Sequence, residues 1–226
     1  HRMRNIENGL LTIGVLPSML QYHITQFLSQ FQITYPEATV RITEDDPVNL
    51  MDYLENEKCE LIFTREDKAS FEKNFLYDRH IVRIPYMRDR LAAIMPIGHP
   101  LASCESISLQ QLKNERFCLI KEGSLMYQIS TDACQNANFV PNIVFTSHRT
   151  DSILDMVTNQ NCIALLMDVH VQLPENGPKP SYSPWRAVPI TPVISSQLSL
   201  CYRSDRPLSR TAQLFVDLCN DKLFKK

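Results

Sequence analysis

The strongest constraint on how this chain can fold is a hydrophobic period that switches repeatedly between two and about 3.6 residues. In GLLTIGVLPSML, running from Gly9 to Leu20, Leu11, Ile13 and Val15 alternate with Thr12 and Gly14, which predicts a short strand. Past Pro17 and Ser18 the period becomes helical. Leu20, Ile24, Phe27 and Phe31 fall along one stripe until Tyr35 and Pro36 end it. ATVRIT at 38–43 alternates again, Pro47 suits the first turn of a helix that turns Met51 and Leu54 inward, and CELIF at 59–63 reads as a buried strand. The order is β-α-β-α-β, which favours parallel strands with right-handed crossovers.

The alternation then restarts. HIVRIPY at 80–86 and RLAAIM at 90–95 read as two β-rich runs, and the chain turns at GHPLA. SLQQ from Ser108 to Gln111 has capping-box spacing and predicts a short helix. FCLI at 117–120, NIVF and CIALLM read as strands, separated by helices marked by Met126, Ile129, Ala133 and Ala137 and by Ile153 and Val157. Six of the fourteen prolines lie between Pro174 and Pro192, so that stretch is expected to be extended. Leu198, Leu200 and Tyr202 alternate as a strand, and Pro207 opens a last helix with Leu208, Ala212, Phe215 and Cys219 as its stripe. We therefore expect an α/β fold of two Rossmann-like lobes joined by two extended crossover segments. Lobe I takes residues 1–84 and 194–226, and lobe II takes 85–193. Ligands of open α/β sheets sit where strands run into helices, so the expected site is a cleft between the lobes.

Composition narrows the partners. The chain has 226 residues, 44% hydrophobic and 21% charged, with no apolar run near the roughly 18 residues that cross a bilayer. Its formal charge of −2 lacks the surplus that displaces counterions from nucleic-acid phosphates. We expect no membrane partner and no direct DNA binding by these residues. The seven cysteines, Cys59, Cys104, Cys118, Cys134, Cys162, Cys201 and Cys219, are odd in number and contain no C-x-x-C pair. They read as reduced thiols of a cytoplasmic protein and are assigned no chemistry.

The order and spacing of GLLTIGVLPSML, the following YPEATVRITED, CELIF, GHPLASCESISLQQLKNERF and LCYRSDRPLSRTAQLFVDL resemble the regulatory half of LysR-type transcriptional regulators. That resemblance spans nearly the whole chain. It implies a fold similar to type II periplasmic binding proteins, a small-molecule effector, and self-association to a dimer or tetramer. It also implies a DNA-binding helix-turn-helix domain before residue 1, absent from this chain. One departure is local: where the family usually has a Gly-x-Gly turn, this chain has Asn159, Gln160, Asn161 and Cys162, and asparagine tolerates the left-handed turn.

Each candidate residue has a structural reading beside its functional one. Ser18 can cap the first helix, or it can join the N–H groups of Met19 and Leu20 in holding an anionic effector, as the corresponding corner does in relatives. Arg65, after the strand in FTRED, can pair with Glu66 or Asp67, or take a carboxylate in two parallel bonds. Thr146, Ser147, His148 and Arg149 follow the NIVF strand and can close on the ligand from the second lobe, or Ser147 or Thr150 simply caps the next helix. The loop from Lys121 to Ser124 is a further corner of this kind. His23, His80, His99, His148 and His170 show no ligand spacing, and Asp45 and Asp46 read as charges at a helix start, so no metal is expected. Without G-x-S-x-G, a P-loop or G-x-G-x-x-G, we expect no enzyme activity and no cofactor. Two rivals are weighed against an effector sensor that works by population shift: an exported solute-binding protein of the same fold, and a small α/β enzyme using Arg65 and His148.

Overall fold

The computed structural model describes residues 9–17, 22–66, 79–171 and 183–223. The chain forms two compact units, His1–Arg88 with Ser196–Lys226, and Asp89–Ser195. These boundaries lie a few residues beyond the 84/85 and 193/194 positions expected from the sequence.

In the first unit, strand β1 (Leu10–Val15) runs parallel to β2 (Thr39–Glu44) on one side and β3 (Leu61–Glu66) on the other. Leu11, Ile13 and Val15 are fully buried and Thr12 is nearly so, because helices cover both faces of a central parallel strand. Strand β9 (Ser195–Arg203) pairs antiparallel with β3, with Phe63 opposite Leu200 and Arg65 opposite Leu198. The next neighbour of β9 is β4 (Ile81–Pro96), whose residues to Arg88 belong to this unit. The runs expected at 80–86 and 90–95 are thus one strand: the intervening MRD tripeptide contains no turn-forming glycine or proline.

Helix α1 spans Ile24–Thr34 and α2 spans Pro47–Glu55, with Pro47 at the first helical position as its missing N–H allows. Helix α5 (Arg210–Leu223) starts three residues after Pro207, because Ser209 Oγ takes the Ala212 N–H and Glu60 in turn accepts from the Ser209 N–H and hydroxyl at 2.9 Å each. On one face of the sheet, Phe63 packs against Phe27, Phe215 and Tyr86, with ring centroids 5.4 to 6.1 Å apart. On the other, α2 approaches β1 closely at Gly14, where an added Cβ would lie 2.8 Å from Leu50 Cδ2.

In the second unit, β5 (Arg116–Ile120) lies between β6 (Asn142–Ser147) and β7 (Ile163–Met167), parallel to both. The part of β4 from Asp89 onward pairs antiparallel with β7 and with β8 (Trp185–Pro189). The expected short helix at Ser108 is a helical turn over Leu109–Leu112 with a complete capping box, the Ser108 N–H donating to Gln111 Oε1 at 2.8 Å. Helix α3 (Leu125–Asn136) is capped by Ser124 Oγ, which accepts from the Tyr127 N–H at 3.2 Å. Helix α4 (Thr150–Gln160) ends at Asn161, whose φ of 51° and ψ of 50° are the left-handed values that the asparagine turn was expected to supply.

One cysteine reading is corrected. Cys118 and Cys162 are joined in a disulfide, with their Cα atoms 6.3 Å apart. The parallel register of β5 and β7 sets Cys118 opposite Ala164, which brings Cys162 alongside at the start of β7. No spacing rule relates cysteines 44 positions apart, so the pairing had no signature in the sequence.

Candidate functional site

Of the corner predicted to hold an anion after β1, Ser18, Met19 and Leu20 lie outside the described residues. Helix α1 itself begins at Ile24 behind His23, which has a left-handed φ of 57° and makes no side-chain capping bond. The residue before it, Tyr22, is buried and points its phenol at the next strand but one.

Arg65 departs from the sequence reading in position and surroundings. It lies within β3 rather than beyond it, and only 3% of it is exposed, so it is not a solvated arginine. Its guanidinium donates to Tyr22 Oη and to Ser196 Oγ, and its Cζ sits 5.4 Å from the Tyr22 ring centroid. The strand register explains the second bond: Arg65 faces Leu198 across the β3–β9 ladder, and Ser196, two residues away, shares that face. Sequence reasoning missed both partners. Tyr22 was hidden beside the helix start, and Ser196 could have been found by extending the alternation of Leu198, Leu200 and Tyr202 backwards by two.

In the second unit, Thr146 and Ser147 end β6, with Thr146 exposed, Ser147 half-buried and His148 exposed. The residue at the N-cap of α4 is Arg149, and Thr150 is the first helical residue, so neither Ser147 nor Thr150 caps as expected. Ser147 Oγ instead accepts from the Arg149 N–H at 3.1 Å. Arg149 is exposed and its fork closes on Asp151, Nε to Oδ1 at 3.0 Å and Nη2 to Oδ2 at 2.5 Å. That hydrogen-bonded pairing holds the Asp151 carboxyl at a pKa of about 2 and raises the Arg149 guanidinium further. The Lys121 N–H donates to the Ser147 carbonyl at 2.9 Å, so the loop from Lys121 to Ser124 adjoins the Thr146 to Arg149 loop.

Asp45 is held by the side chains of the helix that follows it. Asn49 donates to Oδ1 at 2.7 Å and Tyr53 to Oδ2 at 2.6 Å, and with the Asp46 N–H they keep its carboxyl below the usual range. Among the described residues, no three His, Cys, Asp or Glu side chains gather as a metal site, and no helix is long and apolar enough to cross a membrane.

The profile described as LysR substrate binding domain matches residues 4–223. The Bacillus subtilis protein described as an uncharacterized HTH-type transcriptional regulator, YybE, is 24% identical over 163 residues, 72% of this chain and 53% of its own length. The chain spans about half the length of the curated relatives it matches first. Among solved structures, the Synechocystis PCC6803 CcmR regulatory domain in complex with 2-PG superposes with a TM-score of 0.79 at 17% identity, covering 95% of this chain and 97% of that one. The effector binding domain of QuiR in complex with shikimate gives 0.75 at 16% identity, covering 96% and 98%. These relatives are transcriptional regulators, and the neighbours' mixed α/β architecture is the type II periplasmic-binding-protein-like fold. With nearly every residue inside the matched span, the chain belongs to the LysR substrate-binding domain family.

Proposed function

We propose that this chain senses a small anionic metabolite for a cytoplasmic transcriptional regulator, and that it acts without catalysing a reaction. The observation that carries the reading is the Arg65 guanidinium, buried in β3 and oriented by two neutral hydroxyls. A planar fork fixed in this way is suited to a carboxylate, whose charge strengthens each hydrogen bond over what a hydroxyl offers. Shikimate, named in the QuiR complex, is a carboxylate of that kind. The loop of Thr146, Ser147, His148 and Arg149 is the second candidate contact, and Ser18, Met19 and Leu20 are the third.

The effector would shift a conformational equilibrium, which requires that it bind one conformation better than another; equal affinity for both would change nothing. A helix-turn-helix domain of the parent protein would read that shift at DNA. Self-association supports the transmission. Strands β2 and β6 end their sheets with exposed or half-buried residues, and the outer face of α1 around Leu28 and Ile33 surrounds a shallow hollow of about 400 Å³. Such edges and faces are what a dimer of these units would cover.

A thermal-shift screen of small carboxylates, phosphates, neutral sugars and amines tests the reading. Stabilisation by anions supports it. Stabilisation by neutral or cationic compounds alone would falsify the anionic effector.

A further inference from the structure

Two sulfurs that the proposed function does not use stand out in the second unit. Cys118 and Cys162 are both fully buried, in one apolar cluster with Ala92, Ile94, Ile153, Val157, Ala164 and Leu166. Their Cα separation of 6.3 Å lies inside the range a disulfide spans without moving the backbone. The site also suits the reduced state. Cys162 Sγ lies 3.3 Å from the Met156 carbonyl oxygen, an acceptor for a thiol S–H, and the rest of the lining accepts a thiol as a small apolar group. One backbone arrangement therefore accommodates both oxidation states, which is the condition for passing between them.

We propose that Cys118 and Cys162 form a reversible dithiol–disulfide pair, oxidised by a low-molecular-weight disulfide and reduced again by the corresponding thiol. The Cys162 thiolate attacks one sulfur of the small disulfide, giving a mixed disulfide and releasing one small thiol. Cys118 then loses its proton and attacks Cys162 Sγ, forming the protein S–S bond and releasing the second small thiol. Two cysteines are oxidised and one small disulfide is reduced to two thiols. Cys162 is the sulfur reached first, because it directly follows Asn161, an exposed residue in a left-handed turn, whereas Cys118 lies inside the central strand β5. Exchange therefore proceeds through local opening of that turn. The closed tie encloses α3, β6 and α4, the segment that carries the Thr146 to Arg149 loop.

The test uses the whole chain equilibrated against mixtures of reduced and oxidised glutathione, then denatured, alkylated and mapped by mass spectrometry without reduction. The expected result is a Cys118–Cys162 cross-linked peptide, with alkylated cysteines falling from seven to five and returning to seven when the folded protein meets excess dithiothreitol. Cys162→Ala, checked for folding by circular dichroism, should give no intramolecular cross-link to Cys118. Seven alkylated cysteines under every mixture, cross-links to other cysteines, or a bond that yields to dithiothreitol only after unfolding would overturn the proposal. The wild-type map decides the matter even where the variant fails to fold.

Discussion

The guanidinium of Arg65 donates to the hydroxyl of Ser196, 131 positions away, across the β3–β9 ladder. Together with the bond to Tyr22, it ties the start of α1, the end of β3 and the start of β9 around one buried positive charge. Arg65→Ala would leave the Tyr22 and Ser196 hydroxyls without that donor. Hydrogen bonds to a charged group contribute about 1.5–3 kcal/mol each, so losing the two bonds should cost the variant on the order of 3 kcal/mol of stability. A shift of the urea midpoint at constant slope measures this, and an unchanged midpoint would contradict the buried geometry.

The Arg149–Asp151 pair makes a pH-dependent prediction. Hydrogen bonding to Arg149 depresses the Asp151 carboxyl from its ordinary 3.8 to about 2 in the folded chain. Its contribution to stability is present above the ordinary value and is lost as pH falls through about 2. The pair is exposed, so Arg149→Ala should leave the melting temperature near pH 7 almost unchanged. The same variant should return the Asp151 titration, followed by side-chain NMR, toward the normal carboxylate range. A midpoint that does not move would show that the fork is not closed on Asp151 in solution.

Gly14 predicts a packing limit. An added Cβ would meet Leu50 Cδ2 at 2.8 Å and Ile62 Cγ2 at 3.0 Å, so those two packed side chains would have to shift. Gly14→Ala should destabilise the chain by about 1–3 kcal/mol, as overpacked cores do. Equilibrium unfolding measures it; a stabilised variant would mean that α2 does not sit so close.

Much of the architecture was legible because it follows from local chemistry. Pro47 can begin a helix but not continue one, Ser108 offers a capping oxygen, and Asn161 takes the left-handed turn; each of these was read from the sequence and is found in the fold. What was not legible depends on pairing at long range. The positions of Arg65 inside β3 and of Ser196 beside it are set by an antiparallel register across more than a hundred residues, and the Cys118–Cys162 bond by a parallel one. The start of α5 was misplaced for a related reason. Pro207 looked like its first turn, yet Glu60, far away in sequence, holds Ser209 as the capping residue.

The thiols should divide by accessibility. Burial pushes Cys134 up to about 12 and Cys59 up to about 11, so neither supplies thiolate near pH 8. Cys201 and Cys219 are also buried, whereas Cys104 is partly exposed. A colorimetric thiol titration of the native chain should therefore register Cys104 first, and the buried thiols only on unfolding. Rapid reaction of Cys59 or Cys134 in the native state would contradict their burial.

The central claim is that a carboxylate effector binds at Arg65, and calorimetric titration of the most stabilising carboxylate into wild-type and Arg65→Lys protein tests it most directly. Lysine keeps the charge and loses the fork. If the guanidinium holds the carboxylate, losing a charged hydrogen bond of about 1.5–3 kcal/mol weakens binding by roughly tenfold to a hundredfold. Equal dissociation constants for the two folded proteins would remove Arg65 from the site.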